Sequence, residues 1–364
     1  MATVSDLLVN PFMPPDRIPR YLYRTARNKS LGKNSLEKFE SSWVQSNGSS
    51  IFRKLDPDRG RLVAELHLKW KTTDGENRVF SDLISWSNTL LFSLQFAVRE
   101  YHEGKRDVQI YILDTWALSE SERENILSAT YLIENLGVDL QFRYPNEFLV
   151  IGELHSAGHC DRIALEEIFR SFPSKKPDKT TTVTLMREVD RVRTTFFNST
   201  PKDFTESYLG TVHSLCQNLR ADFQVPFFLG FVSLEIRPPC FRSSVFWKWV
   251  QKWFETNNDN SLYNCIWPCI DSTVYACQEA EIKQYSELLD TCRAIYQDVQ
   301  DCAELRNKST VKAGSYSTRV HESEGEELED DPTTGYSYES DTDSVEENNI
   351  DDDIIKRIED FQLH

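Results

Sequence analysis

The sequence predicts an α+β fold for roughly the first 160 residues, because short apolar strands and a few amphipathic helices follow one another without regular βαβ alternation. Apolar runs typical of strands lie at 83–87, 108–114 and 148–154, and a helical apolar pattern lies at about 90–102. The glycine motifs of dinucleotide-binding and phosphate-binding loops are both missing. The pattern therefore argues against a doubly wound nucleotide-binding fold.

The remaining elements of this first region are predicted from local patterns. Residues 1–15 read as an irregular leader, and residues 16–26 as the entry into a first strand. A polar region at 27–50, with a short helix near 35–43, is expected close to that strand. Alternating apolar residues predict a half-buried strand at 62–70. Two capping signals follow: Asn88 for the helix at 90–102, and Ser119-x-x-Glu122 for a helix that reaches Gly137, with or without a break.

A mainly helical region is predicted from residue 161 to about residue 310, beginning with a helix capped by Asp161. Further helix-like stretches lie near 181–197, 203–220, 242–256 and 271–305. From residue 311 the chain is acidic and poor in apolar residues, so residues 311–364 are predicted to be a disordered acidic tail. Apolar residues at helical spacing near its end predict a transient helix, or else a short docking helix for a protein partner or for the body of the chain itself.

Charge is concentrated in that tail. The net charge is −17, and residues 315–364 hold 17 Asp and Glu against 3 Lys and Arg, so the rest is close to neutral. Nucleic-acid binding is therefore not expected. No apolar run approaches the roughly 20 residues of a membrane helix, and no signal peptide is recognisable, so a cytoplasmic or nuclear protein with no membrane partner is expected.

Three short motifs occur in order along the first region. Arg24 follows apolar residues of the first predicted strand, Ser85 and Ser87 flank Trp86 in the second motif, and Glu147 opens the apolar run at 148–151. Each motif alone has a simpler interpretation; a glutamate at a strand end, for example, is usually solvated. Their order and local structure together make the pattern informative.

This constellation resembles the Arg–Ser–Glu signature of the mono-ADP-ribosyltransferases, in the cholera-toxin-like branch of that superfamily, and is similar to an uncharacterised group of fungal proteins with such a domain. The resemblance covers about residues 16–160 and implies a split β-sheet domain that uses NAD as a substrate. It implies that Glu147 stabilises the ribosyl cation, that Arg24 holds the NAD phosphates, and that Ser85 supports the ribose and orders Glu147. Ser87 matches a position that is commonly structural. A protein acceptor would be a further partner.

Two departures from the signature leave the activity open. Arginine-modifying members carry Glu or Gln two residues before the catalytic glutamate, where this chain has Pro145. That difference argues against arginine as the acceptor and leaves NAD hydrolysis, another acceptor, or a catalytically inactive binding or regulatory protein. Trp86 replaces a usually small residue, and either packs in the core or lines the nicotinamide pocket.

Other signals are weaker. His155, His159 and Cys160 have no partner pair at zinc spacing, and Cys265, Cys269 and Cys277 read as helix core, so no metal is expected. The aromatic run at 246–254 is more typical of a packed helix than of a ligand cage. A chance match, in a two-part scaffold protein, is the third alternative to an enzyme and an inactive module.

Overall fold

The computed structural model describes residues 3–8, 18–69, 81–139, 146–172, 200–237, 244–256 and 279–314, together with helical positions 189, 191, 193 and 194. The strands are β1 Tyr21–Arg27, β2 Lys33–Asn34, β3 Lys38–Glu40, β4 Leu83–Ser87, β5 Val108–Asp114, β6 Ile126–Ser128, β7 Glu147–Ile151, β8 Glu153–His155 and β9 Cys160–Ala164. The α-helices are α1 Val4–Leu8, α2 Ser42–Asn47, α3 Pro57–Leu68, α4 Leu90–His102, α5 Glu120–Arg123, α6 Ala129–Leu136, α7 Leu165–Ser171, α8 Glu206–Cys216, α9 Ala221–Val232, α10 Ser244–Thr256 and α11 Ala280–Gly314.

The main sheet has six strands in the order β6-β7-β4-β1-β5-β9, with antiparallel pairing throughout. Strands β1 and β5 pair along the whole of β1, whereas β1 and β4 share the single pair Tyr23↔Ser87. The sheet is therefore split between β1 and β4. A second sheet has the order β2-β3-β8. The predicted α+β class is confirmed.

The two faces of the main sheet are buried in three apolar cores. On β4 and β7, Leu83, Leu149 and Ile151 face a core formed with α1, α3 and α6. The opposite face, which includes Trp86 and Phe148, shares a core with Phe39 of the small sheet. Strands β1, β5 and β9 face a third core, which continues into the helices of the second half.

The strand predicted at 62–70 is wrong: residues 57–68 form helix α3. Asp56 caps this helix, since its Oδ1 accepts a hydrogen bond from Arg59 N at 3.0 Å, and Pro57 occupies the first turn, where a missing N–H costs nothing. The buried positions 60, 64 and 68 recur every fourth residue, which is the helical spacing. Leu62, which completed the apparent alternation, is exposed.

Three other local predictions need correction. The region expected to hold a helix at 35–43 forms β3 and then α2. The stretch that reaches Gly137 does have a break, one of the two predicted alternatives, and the break is the strand β6. Thr89, rather than Asn88, caps α4 through its side chain. The leader contains helix α1.

Asp161 belongs to strand β9, and the following helix begins only at Leu165. Its carboxylate instead accepts a hydrogen bond from Arg220 N at 2.6 Å, at the start of α9. Because β9 pairs with β5, the main sheet extends beyond the predicted boundary at residue 160.

Beyond β9, the described residues of the second half are mainly helical, as predicted, and pack on the sheet through one continuous core. The aromatic run forms the packed helix α10, where Phe246, Trp253 and Phe254 are buried. The predicted tail lies outside the described residues, apart from 311–314, which continue α11. No helix in the described ranges has the length and apolar content needed to cross a bilayer.

Candidate active site

Strand pairing brings Ser85 and Glu147 to the same face of the main sheet. Ser87 lies opposite Glu147, and Ser85 lies opposite Leu149, so alternation along each strand directs Ser85, Ser87 and Glu147 to the side packed by α3. The Ser85 hydroxyl therefore lies beside Glu147 on this face, where it acts on the Glu147 carboxyl. These two residues of the predicted signature are neighbours in the structure.

Glu147 is a buried carboxyl group with only 6% of its surface exposed. Burial raises the pKa of Glu147 from its ordinary value to about 7, because a desolvated carboxylate is costly, and the neighbouring Ser85 hydroxyl offsets part of that increase. Oε1 of Glu147 has no hydrogen-bond partner among the described residues. A group that titrates near neutral pH, with one oxygen unused, is typical of a reactive site more than of a structural ion pair.

Arg24 bridges the split between β1 and β4. Its Nη1 donates to the main-chain oxygen of Ser85 at 2.6 Å, and its Nε donates to Asn34 Oδ1 at 3.0 Å. Nη2 has no acceptor in the part of the chain that the structure describes. Burial lowers the pKa of Arg24 to about 10, so the guanidinium remains charged at neutral pH.

His67 completes the cluster and was not anticipated as a site residue. It lies in the last turn of α3, with Nδ1 2.7 Å from Ser81 Oγ and Nε2 2.8 Å from Ser85 Oγ. Burial, reinforced by the charge of Arg24, lowers the pKa of His67 to about 4, so the ring is neutral at physiological pH. The Asp56-Pro57 helix start was the sequence signal that could have placed it, because it puts 57–68 in a helix.

The other two residues of the second motif have different environments. Ser87 Oγ accepts a hydrogen bond from Thr89 N at 3.1 Å, which helps to begin α4. Trp86 points to the opposite face, is buried, and packs edge-on against Phe39 with ring centroids 4.9 Å apart. Trp86 is therefore packed in the core, which is one of the two environments predicted for it. A contact of Ser87 with NAD stays a prediction.

The possible metal ligands are not gathered together. His155 lies exposed on β8, whereas Cys160 is buried on β9. Within the described residues no group of three or more His, Cys, Asp or Glu side chains has the arrangement to hold a metal ion. Cys265, Cys269 and Cys277, like Pro145, lie outside those residues.

Residues 17–158 match the model of a family described as a domain of unknown function (DUF7587). The matched segment contains Arg24, His67, Ser85 and Glu147. No curated protein and no solved structure matches the chain. The comparisons delimit a domain around these four side chains and name no activity for it.

Proposed function

We propose that the protein cleaves NAD on an ADP-ribosyltransferase-like domain, as a mono-ADP-ribosyltransferase or an NAD glycohydrolase. One observation carries the proposal: Arg24 donates to the main-chain oxygen of Ser85, and strand pairing places the Ser85 side chain on the same face as Glu147. The three residues of the signature thus form one cluster. The separation of β1 from β4 beyond a single residue pair is consistent with the split sheet that the resemblance implies.

Arg24 is suited to bind the pyrophosphate of NAD. A guanidinium matches phosphate oxygens because its planar N–H groups donate two parallel hydrogen bonds. In Arg24, the bonds to Asn34 and Ser85 fix the side chain, while Nη2 has no acceptor among the described residues. The residue as a whole is only partly buried.

Glu147 is suited to stabilise the transition state. When the bond between ribose C1′ and the nicotinamide nitrogen breaks, the electron pair leaves with nicotinamide and positive charge develops on the sugar, as in glycoside hydrolysis. A carboxylate beside the ring stabilises this charge, and the unpartnered Oε1 is available to accept a hydrogen bond from a ribose hydroxyl. Only the ionised form does so, which requires a pH above the raised pKa of Glu147.

The fate of the ribosyl cation separates the two activities. Attack by water gives ADP-ribose and releases one proton, whereas attack by a protein side chain gives an ADP-ribosylated acceptor and likewise releases the proton of the nucleophile. Position 145 is a proline, which supplies no group to activate an arginine acceptor. Hydrolysis, or transfer to another residue type, fits this chain better than transfer to arginine.

A second function has its own support: an inactive NAD-binding or regulatory module on the same fold. Glu147 is almost completely buried, and Arg24 already uses two of its nitrogens in bonds to the protein. A site closed in this way binds ligand without turnover if Glu147 never reaches the ribose. Binding of NAD without nicotinamide release distinguishes this function from the enzyme.

The experiment is to measure nicotinamide release from NAD at pH 8 by the full chain and by Glu147→Gln. We expect the variant to lose activity by about 100-fold or more, because it removes the charge that stabilises the transition state, at about 1.4 kcal/mol of barrier for each tenfold. Glu120→Gln, on the exposed first turn of α5, is the matched control and should retain full activity. Equal release by the parent and Glu147→Gln would reject the assignment.

A further inference from the structure

His67 links two serines that lie on either side of it. Its Nδ1 is 2.7 Å from Ser81 Oγ, and its Nε2 is 2.8 Å from Ser85 Oγ. A neutral imidazole has one N–H and one bare nitrogen, so it donates to one of these serines and accepts from the other. The other hydrogen bonds of the two serines indicate which of them accepts the hydrogen bond from the ring N–H.

The hydrogen bonds around the ring favour one direction. Ser81 Oγ accepts from Leu83 N at 3.1 Å, which leaves its hydroxyl hydrogen for His67 Nδ1. At the other end, Ser85 Oγ then accepts from His67 Nε2–H, which leaves the Ser85 hydroxyl hydrogen free to point to Glu147 on the same face of the sheet. In the reverse direction the Ser85 hydrogen would lie on the ring and could not point to Glu147, whose Oε1 has no hydrogen-bond partner among the described residues.

We propose that His67 is a positioning residue whose Nε2–H holds the Ser85 hydroxyl so that it points to the Glu147 carboxylate, in the chain Ser81–His67–Ser85–Glu147. The existence of this hydrogen-bond chain does not depend on the proposed NAD cleavage. Only its effect on catalysis rests on that proposed function. Hydrogen bonds in series polarise one another, so donation by His67 makes the Ser85 hydroxyl a stronger donor. The chain therefore favours the ionised form of Glu147 against the effect of burial.

The surroundings of His67 keep its ring uncharged near neutral pH, and so preserve the direction of the hydrogen-bond chain. Arg24, from β1, is the charged group that acts on the ring, and together with burial it keeps the pKa of His67 at about 4. The helices α1 and α6, which pack on α3, contribute apolar side chains to the same core, including Val4, Leu132 and Leu136. Protonation of His67, which would place an N–H on Nδ1 against Ser81, is therefore confined to acidic pH.

The first test is the tautomer of His67, read from the ring ¹⁵N shifts of the full chain at pH 7. The proposed hydrogen-bond chain predicts a neutral ring that carries its hydrogen on Nε2. A ring protonated on Nδ1 would overturn the proposal, because Ser85 could not then receive a hydrogen bond from His67. This measurement needs no variant and no turnover.

The second test is the titration of the Glu147 carboxyl, followed by its ¹³C shift in the parent, His67→Leu and His67→Gln. Leucine removes the N–H that holds the Ser85 hydroxyl in place for Glu147. The acid dissociation constant of Glu147 should therefore fall about tenfold, which is the size of effect expected when one hydrogen bond to a charged group is lost. Glutamine retains an amide donor and should restore most of the difference. An unchanged Glu147 titration in a folded His67→Leu would contradict the proposal; if that variant does not fold, an unrestored titration in His67→Gln would do so.

Nicotinamide release gives an independent readout. If the proposed function holds, His67→Leu should shift the pH at which release is half-maximal upward by about one unit, with a smaller change in the rate at pH 9. His155→Gln, on the exposed end of β8, is the control. If both NMR tests support the hydrogen-bond chain but the protein releases no nicotinamide, the positioning role of His67 stands. Only the proposed enzymatic activity is then rejected. A purely structural His67 would lower stability without moving either titration.

Discussion

Glu147 occupies an unfavourable place for a carboxylate. It is buried, and the neighbouring Ser85 hydroxyl compensates only part of the desolvation. Its folded-state pKa of about 7 lies above the ordinary value of 4.5, so the folded protein binds a proton more tightly than the unfolded chain does. Stability from this group is therefore complete below pH 4.5 and is lost as the pH rises towards 7.

Glu147→Gln should therefore stabilise the protein at alkaline pH. We expect the free energy of unfolding of the variant, relative to the parent, to increase by about 2–3 kcal/mol between pH 5 and pH 8.5, since one pKa unit corresponds to about 1.4 kcal/mol. Urea unfolding at the two pH values measures it. His67, whose lowered pKa gives the opposite dependence below pH 6.5, is common to both proteins and cancels.

The same measurement on Glu120→Gln provides the baseline for removing an exposed carboxylate. An unchanged difference between Glu147→Gln and the parent across this pH range would show that Glu147 is solvated in the folded protein. If Glu147→Gln stabilises the protein and also abolishes NAD cleavage, then Glu147 is a residue that increases activity at the expense of protein stability.

At the scale of elements, the end of β7 is held by contacts that also hold the loop after α2. Gly152, with a φ of 72°, accepts from Ser41 N and donates to Asp82 O, each at 2.7 Å. Asp82 is buried, and its Oδ2 accepts hydrogen bonds from Ser50 Oγ, Ile51 N and Phe52 N. A Cβ at Gly152 would approach Ser50 Cβ to 2.6 Å. Strand β7, and with it Glu147, is thus anchored at its far end.

Gly152→Ala should destabilise the protein by about 2–4 kcal/mol, because it combines a left-handed backbone with a steric clash. Gly158→Ala is the matched control: Gly158 has a φ of 79°, but an added Cβ meets nothing within 4 Å, so only about 1 kcal/mol of backbone strain is expected. Chemical unfolding of both variants measures the difference. Equal losses would mean that Ser50 moves aside without cost.

The sequence predicts an element well when the interactions that form it lie close together along the chain. Strands β4 and β5 and helix α4 follow from apolar runs and periodicity alone, and the motif order led to Arg24, Ser85 and Glu147. Helix α3 was missed because Leu62, Leu66 and Leu68 imitate a period of two, although Leu62 is exposed and only positions four apart are buried. The contact of His67 with Ser85 joins two distant segments, and no local pattern predicts it.

At the scale of the whole molecule, the helical half covers one face of the sheet. Tyr23 of β1 donates to Pro226 O at 3.3 Å, and Gly230 lets α9 approach closely, since a Cβ there would lie 3.0 Å from the Tyr23 hydroxyl. Ile110, Ile112 and Ile163 are buried in the same core. The segment matched by the family model therefore does not contain the whole core on which the sheet depends.

A truncated protein of residues 1–172 should not unfold cooperatively, because it would expose the apolar face of β1, β5 and β9. Circular dichroism during urea unfolding, together with binding of a hydrophobic dye, tests this expectation. A protein lacking only residues 315–364, the predicted acidic tail, is the control and should keep the parent's transition. A sharp transition in the 1–172 protein would show that the sheet is stable without the helices.

The most direct test of the account is the rate of nicotinamide release by the parent protein between pH 5.5 and 9. If ionised Glu147 stabilises the ribosyl cation, the rate should rise about tenfold per pH unit and reach a plateau above about pH 7, in line with the raised pKa of Glu147. A rate independent of pH across this range would contradict the role of Glu147. No release at any pH, together with no NAD binding by calorimetry, would contradict the NAD site itself.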